Sequence, residues 1–230
     1  MSVLDFSKKK RFYNIAMTDL ISHLKSAFEQ AEQGLSKITR DIITMEGMTG
    51  TKTRHFYNNL LNRTDIRYLE IGTWKGSSVC SAMYGNRAAV TCIDNWSEFE
   101  GPKNIFLENL HKYTGENTTT YIENDCFAID VATLPTYNVF LYDGDHSKNA
   151  HYKALTHYYN CLDDIFIYIV DDWNWKDVRD GTMESIIDLG LEIIYEKEIR
   201  LTYDNSVTPE PLLSTGWWNG IYAVILKKKK

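Results

Sequence analysis

Glu70-Ile71-Gly72-Thr73-Trp74-Lys75-Gly76 follows a short apolar run, and the pattern around this stretch decides the fold. Apolar runs of strand length alternate with helical patterns as far as residue 226, which predicts βαβ units and a parallel sheet of the α/β class. Two acidic turns, Asp143-Gly144-Asp145-His146 and Asp171-Asp172, each follow another apolar run. Ligands of open α/β sheets bind beyond the carboxyl ends of the strands. The three turns are therefore expected to form one site, and the chain is predicted to be an enzyme.

The predicted elements account for most of the chain. Strands are expected at residues 67–71, 89–93, 119–123, 138–142, 165–170, 191–199 and 221–226. Helices are expected at residues 54–61, 77–84, 103–112, 149–161 and 182–189. Because the chain has 230 residues and 43% hydrophobic content, it can bury a substantial core. We expect one catalytic domain over residues 51–230, preceded by a helical extension over residues 1–50.

The extension carries an apolar stripe. Over residues 14–43, apolar side chains recur at intervals of three and four residues, which indicates an amphipathic helix. Such a stripe must be buried against another surface. It could pack on the catalytic core, cover a substrate pocket or pair with a second subunit, and a homodimer is therefore one expectation.

Composition limits the class of partner. The net charge of −6 counts against nucleic acid, because nucleic-acid binders usually present a basic face. No apolar stretch approaches the roughly 18 residues that a membrane helix requires, and no apolar signal-peptide core follows the lysine-rich start. A cytoplasmic protein without a membrane partner is expected. The four cysteines form no CxxC pair, so neither a zinc site nor a redox pair of the usual spacing is predicted.

The glycine turn, residues 72–76, places backbone amides and a helix N-terminus beside a ligand. Trp74 stands where a dinucleotide-binding turn needs its second glycine, and no Gly-Lys-Ser or Gly-Lys-Thr follows. These departures favour a nucleoside ligand without phosphates. Asp94 ends the next strand at about the 20-residue offset at which an acid binds ribose hydroxyls, and Asp125 follows the third strand similarly. A glycine turn and strand-end acids also occur as plain turns and helix caps, which is the structural alternative.

Taken together, these residues resemble the class I S-adenosylmethionine-dependent methyltransferases over about residues 50–226. The resemblance implies a Rossmann-like, mostly parallel seven-stranded sheet with helices on both faces. It also implies that Glu70 and the glycine turn hold the methionine part of S-adenosylmethionine, Asp94 the ribose, and Asp125 with Cys126 the adenine. The cofactor-binding residues expected on this basis are Glu70, Gly72, Thr73, Gly76, Ser77, Asp94, Asn95, Asp125, Cys126 and Asp143.

The two acidic turns predict a metal site. Neighbouring parallel strands are about 5 Å apart, so Asp143, Asp145, Asp171 and Asp172 should meet at one edge of the sheet. Carboxylates packed together repel one another, and a hard divalent cation with oxygen ligands relieves that repulsion. Magnesium is the expected cation. The alternative is structural, with exposed carboxylates at helix N-termini and no metal.

The D-G-D-H turn with the later Asp-Asp pair is similar to the metal-dependent, macrocin-type sugar O-methyltransferases. That resemblance implies Asp143, Asp171 and Asp172 as metal ligands and Asp145 as general base. His146 could share or replace the role of base, because a neutral imidazole accepts a proton near pH 7. A helix cap is its alternative. The expected acceptor is a hydroxylated small molecule, a sugar or a glycosylated metabolite. The alternatives are a metal-independent small-molecule methyltransferase and a non-catalytic scaffold that binds S-adenosylmethionine.

Overall fold

The computed structural model describes residues 3–229, with side chains described for residues 17–229. Its centre is a seven-stranded sheet in the order β3-β2-β1-β4-β5-β7-β6. Strand β7 is antiparallel to both of its neighbours, whereas the other pairs are parallel. The strands are β1 Arg67–Ile71, β2 Ala89–Asp94, β3 Thr118–Glu123, β4 Tyr137–Tyr142, β5 Leu162–Asp171, β6 Glu192–Ile199 and β7 Ile221–Lys227. The predicted fold class is confirmed.

Eight α-helices connect and cover the strands of the described chain. They are α1 Val3–Glu32, α2 Arg40–Ile43, α3 Thr51–Leu60, α4 Ser77–Met83, α5 Lys103–Tyr113, α6 Lys148–Tyr158, α7 Lys176–Asp188 and α8 Leu212–Thr215. Short 3₁₀ turns at Cys126–Ala128, Val131–Thr133 and Tyr159–Cys161 complete the connections. Among these helices, none is both long and apolar enough to cross a membrane.

Two hydrophobic cores lie on opposite faces of the sheet. Successive strand side chains point to opposite faces, so Tyr68 packs in one core and Leu69 in the other. Helices α1, α3 and α4 contribute to the first core, while α6 and α7 contribute to the second. The central strands are buried on both sides, as β4 and β5 show, because helices cover both faces of a parallel sheet.

The N-terminal stripe packs on the first core. Leu24, Ala27, Phe28 and Ala31 of α1 are buried, and the Phe28 ring lies 4.2 Å from that of Phe56. Burying a side chain such as Leu24 or Phe28 stabilises the fold by about 1.5–3 kcal/mol. These residues of the stripe therefore pack on the core of the same chain, which is the first of the three alternatives that the sequence left open.

The expected helix over residues 14–43 is interrupted. Helix α1 ends at Glu32, and Gly34 then adopts φ +68°, a left-handed conformation that commonly ends helices. The chain resumes helical structure only at α2. The part of the prediction that falls on the side chains of residues 14–16 lies outside the described residues.

Helix α7 begins six residues before the predicted start at residue 182. Gly181 obscured this start, because glycine is unfavourable inside a helix. In the structure it lies against α6, where an added Cβ atom would be 2.1 Å from the carbonyl oxygen of Lys148. The glycine is therefore required by the close approach of two helices rather than by a turn.

Candidate active site

The glycine turn lies directly against the first acidic turn. Gly72 adopts φ +83°, and a Cβ atom there would lie 1.8 Å from the carbonyl oxygen of Asp143. The backbone amide of Asp143 also donates to the carbonyl of Ile71 at 2.9 Å. Glycine is needed here because both the backbone angle and the available space exclude a side chain. The contact brings two of the three predicted turns together.

Asp94 holds the glycine turn in shape. One carboxylate oxygen, Oδ2, accepts the amide hydrogens of Thr73 and Trp74, both at 2.8 Å. The other oxygen accepts the amide of Trp96 at 2.6 Å. Hydrogen bonds to a charged acceptor are among the stronger ones in proteins, so these contacts fix the loop between β1 and α4. The predicted contact of Asp94 with a ribose stays a prediction.

Glu70 lies inside the protein behind the glycine turn. Its side chain is fully buried, and its two oxygens accept hydrogen bonds from the hydroxyls of Tyr68 and Ser78, each at 2.6 Å. Burial disfavours the ionised carboxylate and raises the pKa of Glu70 to about 8. These contacts give Glu70 a structural role, and its predicted contact with a cofactor is untested.

Three other predicted cofactor residues lie at the start of α4 or next to it. Thr73 is buried in the turn itself. Gly76 adopts φ +85° as the residue before α4, which begins at Ser77. The hydroxyl of Ser77 lies 3.0 Å from that of Thr49, so a segment before α3 closes this end of the site.

The residues predicted for the adenine side follow β2 and β3, which are paired. The amide of Asn124 donates to the carbonyl of Asp94 at 3.1 Å, so the ends of these strands are adjacent. Asp125 is exposed and accepts the amide hydrogen of Phe127. Cys126 is partly buried, and burial raises the pKa of its thiol to about 12. Asn95 is exposed and bonds locally, accepting from the amide and hydroxyl of Ser97.

The second part of the site is the acidic edge, which we define as Asp143, Asp171 and Asp172 together with His146. The Nε2 atom of His146 lies 2.8 Å from Oδ2 of Asp172 and 3.9 Å from Oδ1 of Asp143. These three residues each offer one ligand atom, and all three atoms lie within 4.8 Å of one another. Asp172 adopts φ +55°, an uncommon conformation for a residue other than glycine.

Charge determines the state of His146. Burial alone would lower the pKa of its imidazole, but the hydrogen bonds and charges of Asp143 and Asp172 outweigh burial and raise that pKa to about 10. The ring is then protonated near pH 7 and acts as the counter-ion of the two carboxylates. A protonated imidazole cannot accept a proton until it gives up its own, and the predicted role of His146 as general base stays a prediction.

Asp145, the other predicted base, is turned toward the start of α6. It is exposed, and its carboxylate accepts the amide hydrogen of Ser147 at 2.7 Å. Hydrogen bonds from Ser147 lower the pKa of Asp145 below its usual range. A carboxylate with a low pKa is a weak base, so the structure gives Asp145 a helix-capping contact and leaves its catalytic role a prediction.

Asp171 differs from the other predicted metal ligands. Its carboxyl group is buried, and its Oδ1 atom has no hydrogen-bond partner among the described residues. Burial, together with the charges of Asp143 and Asp172, raises its pKa well above the usual range. Among the described residues, the group close enough to share one ion contains His146 and lacks Asp171. Asp171 is the last residue of β5, whereas Asp172 lies in the turn that follows and adopts φ +55°.

Two aromatic residues, Tyr57 and Trp175, lie at the site, and sequence reasoning missed Tyr57. Tyr57 of α3 is 1% exposed, and its hydroxyl has no hydrogen-bond partner among the described residues. Burial raises its pKa well above the usual value, and the charge of Asp171 acts in the same direction. Trp175 packs edge to face on His146, with ring centres 4.7 Å apart. Only the helical pattern around residue 57 marked Tyr57, and that pattern equally predicts a core residue.

Comparison with known proteins identifies the fold. No protein-family model and no curated protein matches the sequence. Among solved structures, TrmN from Thermus thermophilus matches with a TM-score of 0.56 at 12% identity, over 82% of this chain and 52% of TrmN. This chain thus spans about half the length of TrmN.

Two other structures match over nearly their whole length. Precorrin-6y C5,15-methyltransferase from Geobacter metallireducens has a TM-score of 0.53 at 15% identity, over 83% of this chain and 93% of that one. A proposed O-methyltransferase from Klebsiella pneumoniae has a TM-score of 0.53 at 16% identity, over 94% and 96%. With the strand order, these likenesses show that the chain has the class I methyltransferase fold.

Proposed function

We propose that the protein is an S-adenosylmethionine-dependent O-methyltransferase that acts on a hydroxylated small molecule, a sugar or a glycosylated metabolite. The observation that carries this proposal is the direct contact between the glycine turn and the acidic edge, at Gly72 and Asp143. A methyl donor bound at the turn would lie next to the groups that can hold and activate an acceptor hydroxyl. Transfer needs such proximity, which alone can supply effective molarities on the order of 10⁵ M.

The cofactor half of the proposal rests on the turn between β1 and α4. Its left-handed glycines allow a ligand to approach the backbone closely, and Trp74 in place of the second glycine disfavours a pyrophosphate, which suits a polar ligand without phosphates. A proposed methyltransferase complexed with S-adenosylhomocysteine (SAH) matches this chain with a TM-score of 0.54 at 10% identity, over 79% of this chain and 50% of that one. We assign the same class of ligand to this site.

The acceptor half rests on the acidic edge. A divalent cation held there would lower the pKa of an acceptor hydroxyl and so favour its deprotonation. The buried oxygens Oδ1 of Asp171 and Oδ1 of Asp172 have no hydrogen-bond partner among the described residues, which suits a site that receives a cation. Magnesium is the cation expected from the carboxylates alone. The net charge of −6 supports a small-molecule acceptor over nucleic acid.

Methyl transfer tests the proposal. The purified chain is incubated with methyl-labelled S-adenosylmethionine, a divalent cation and a panel of sugars, glycosides and catechols. Labelled product and S-adenosylhomocysteine are then quantified. We expect turnover with at least one hydroxylated acceptor, and a loss of about 10²-fold in Asp172→Asn, which retains the shape of the side chain but removes its charge. Asp130→Asn is the matched control, because Asp130 is exposed and caps a 3₁₀ turn.

The outcomes separate the alternatives. Turnover that survives chelation of divalent cations would indicate a metal-independent methyltransferase. Binding of S-adenosylhomocysteine without turnover on any acceptor would support the scaffold alternative, and no binding would overturn the proposal. A homodimer also stays a proposal, which light scattering of the full chain tests.

A further inference from the structure

Asp143, His146 and Asp172 make a site with a nitrogen ligand, which the sequence did not predict. We propose that these three residues bind one transition-metal ion, such as Mn²⁺, Co²⁺ or Zn²⁺, in preference to Mg²⁺. The inference deepens the proposed function by naming the class of cation, but the binding it describes does not require methyl transfer.

The geometry brings the three donors to one place. Asp143 follows β4, His146 precedes α6 and Asp172 follows β5, so three separate segments converge. Ligand atoms about 2.1 Å from one ion are at most about 4.2 Å apart. The three donors already lie within 4.8 Å of one another, and the pair formed by His146 and Asp172 is 2.8 Å apart. A small movement of the side chains would bring all three donor atoms to bonding distance from one ion.

Burial and charge suit a cation. Asp172 is 4% exposed, and its Oδ1 atom has no hydrogen-bond partner among the described residues. The ion pairs of Asp143 and Asp172 in this part of the chain involve His146 and no lysine or arginine. Two carboxylates held this closely need a positive charge between them, since burial without a partner is costly. A divalent cation supplies that charge and leaves the imidazole free to bind as a ligand.

A second observation points into the same place. Tyr57 comes from α3, on a different part of the chain, and its buried hydroxyl is unpartnered among the described residues. The charges that act most strongly on it are those of Asp171 and Asp143. A buried polar group without a partner costs about 1–3 kcal/mol. A hydrated cation at the acidic edge would offer oxygen partners to such a group.

The ligand types decide the class of metal. Magnesium binds oxygen ligands and keeps several waters, whereas imidazole suits manganese, iron, cobalt and zinc. A set of one imidazole and two carboxylates therefore favours a transition metal over magnesium. The Trp175 ring, packed at 4.7 Å, restricts the imidazole and holds it beside the carboxylates. This support favours binding, because groups that orient a ligand commonly change metal affinity by about 10–100-fold.

Metal titration of the full chain tests the inference. The protein is treated with chelator, dialysed and titrated with Co²⁺, whose visible absorption bands report nitrogen and oxygen ligation. Mn²⁺ and Mg²⁺ are titrated by calorimetry. We expect Co²⁺ and Mn²⁺ to bind at least about 10-fold more tightly than Mg²⁺. His146→Gln should weaken Co²⁺ binding by about 10–100-fold and change Mg²⁺ binding by less than about 3-fold.

Two control variants separate this site from other acids and histidines. His111→Gln removes an exposed histidine of α5, and Asp145→Asn removes an exposed acid two residues from Asp143. Both should bind Co²⁺ as the unaltered chain does. His146→Gln removes the counter-ion of Asp143 and Asp172 and should lower the thermal unfolding temperature of the metal-free chain, so circular dichroism confirms that each variant is folded before titration. Asp172→Asn is a second variant at the site and should also lose the Co²⁺ bands.

Three results would overturn the inference: equal affinities for Mg²⁺ and Co²⁺, Co²⁺ bands unaffected by His146→Gln, or no binding of any cation. The last result would leave His146 as the permanent counter-ion of the carboxylates. S-adenosylhomocysteine is titrated into the same samples. If the chain binds the cofactor and transfers methyl groups but does not prefer transition metals over Mg²⁺, this inference alone is refuted. If the unaltered chain does not bind the cofactor, the proposed function is refuted.

Discussion

At the glycine turn both oxygens of each carboxylate have hydrogen-bond partners, whereas at the acidic edge Asp171 and Asp172 each have an oxygen without one among the described residues. Both oxygens of Asp94 and both oxygens of Glu70 accept hydrogen bonds from the protein. At the acidic edge, Asp171 and Asp172 each keep one buried oxygen without a partner among the described residues. The turn is thus shaped by its own contacts, while the acidic edge is arranged to receive something else. Acids that all lie at strand ends can therefore differ in role: some hold a loop in shape, and others are left able to bind a ligand.

The largest effect should come from the point where the two regions touch. Gly72→Ala would place a Cβ atom 1.8 Å from the Asp143 carbonyl, at φ +83°. Strain and overlap together should cost roughly 4 kcal/mol of unfolding free energy, measured by urea denaturation. Gly190→Ala is the matched control, because Gly190 also has a positive φ but nothing lies within 4 Å of its Cβ position. It should cost only about 1 kcal/mol. Equal losses would show that the backbone angle alone matters.

Glu70 should make stability depend on pH. The folded protein keeps its proton up to about pH 8, whereas the unfolded chain releases it near pH 4.5. The folded state therefore binds more protons in this window, and stability falls as the pH rises through it, by an amount on the order of 3 kcal/mol. Asp171 and His146, whose pKa values are also raised, act in the same direction.

A variant isolates the contribution of Glu70. Glu70→Gln retains hydrogen bonding to Tyr68 and Ser78 but cannot titrate, so its stability should fall less steeply between pH 5 and pH 8. Urea denaturation at four or more pH values provides the measurement. Identical slopes for the variant and the unaltered chain would contradict the buried, protonated state of Glu70.

A smaller effect is expected where the turn is bonded to Asp94. Asp94→Asn loses the charge, and its amide nitrogen cannot accept, so either the hydrogen bonds from Thr73 and Trp74 or the one from Trp96 must be lost. The loss should be about 1–3 kcal/mol, with weaker binding of S-adenosylhomocysteine by calorimetry. Asp125→Asn removes a carboxylate that accepts from a single amide in an exposed turn, so it should cost less than about 1 kcal/mol. A comparable loss of stability in both variants would show that Asp94 holds the glycine turn no more strongly than an exposed turn acid would.

The smallest effect should come from the acidic edge itself. Burial and the charges of Asp143 and Asp172 raise the pKa of Asp171 well above its usual range, which favours its neutral form. Asp171→Asn puts a neutral amide of similar shape in the same place, so stability should change by less than about 1 kcal/mol. Thermal denaturation tests this. Strong destabilisation would mean that Asp171 is ionised and supports the fold, as Asp94 does.

Much of the fold could be predicted because its signals are local. The strand at residues 67–71 and the acids at or next to the ends of β1, β2, β4 and β5 were predicted from apolar runs and the turns that end them. The start of α7 and the break after Glu32 could not be predicted as well. At Gly181 the reason is packing against α6, a contact between segments that local periodicity does not encode.

The candidate site, like the fold, was predicted only in part from the sequence. Sequence spacing placed Asp94 and Asp143 at one edge of the sheet, because parallel strands end together. It could not show that Asp94 bonds to the glycine turn or that Asp145 is turned toward Ser147. Such orientations depend on side-chain rotamers and on neighbouring backbone amides, which only the folded chain provides.

The sequence by itself determined the alternating α/β order, the glycine turn and the acids at the strand ends, since these follow from periodicity and turn chemistry. Tertiary structure alone decided which acids face one another. It placed His146 within reach of both Asp143 and Asp172, in a group of metal-binding donors that does not include Asp171. It also brought Tyr57 from a distant helix into the same interior. The physical reason is that periodicity and turn preferences act over a few residues, whereas electrostatic and packing contacts depend on distances that exist only after folding.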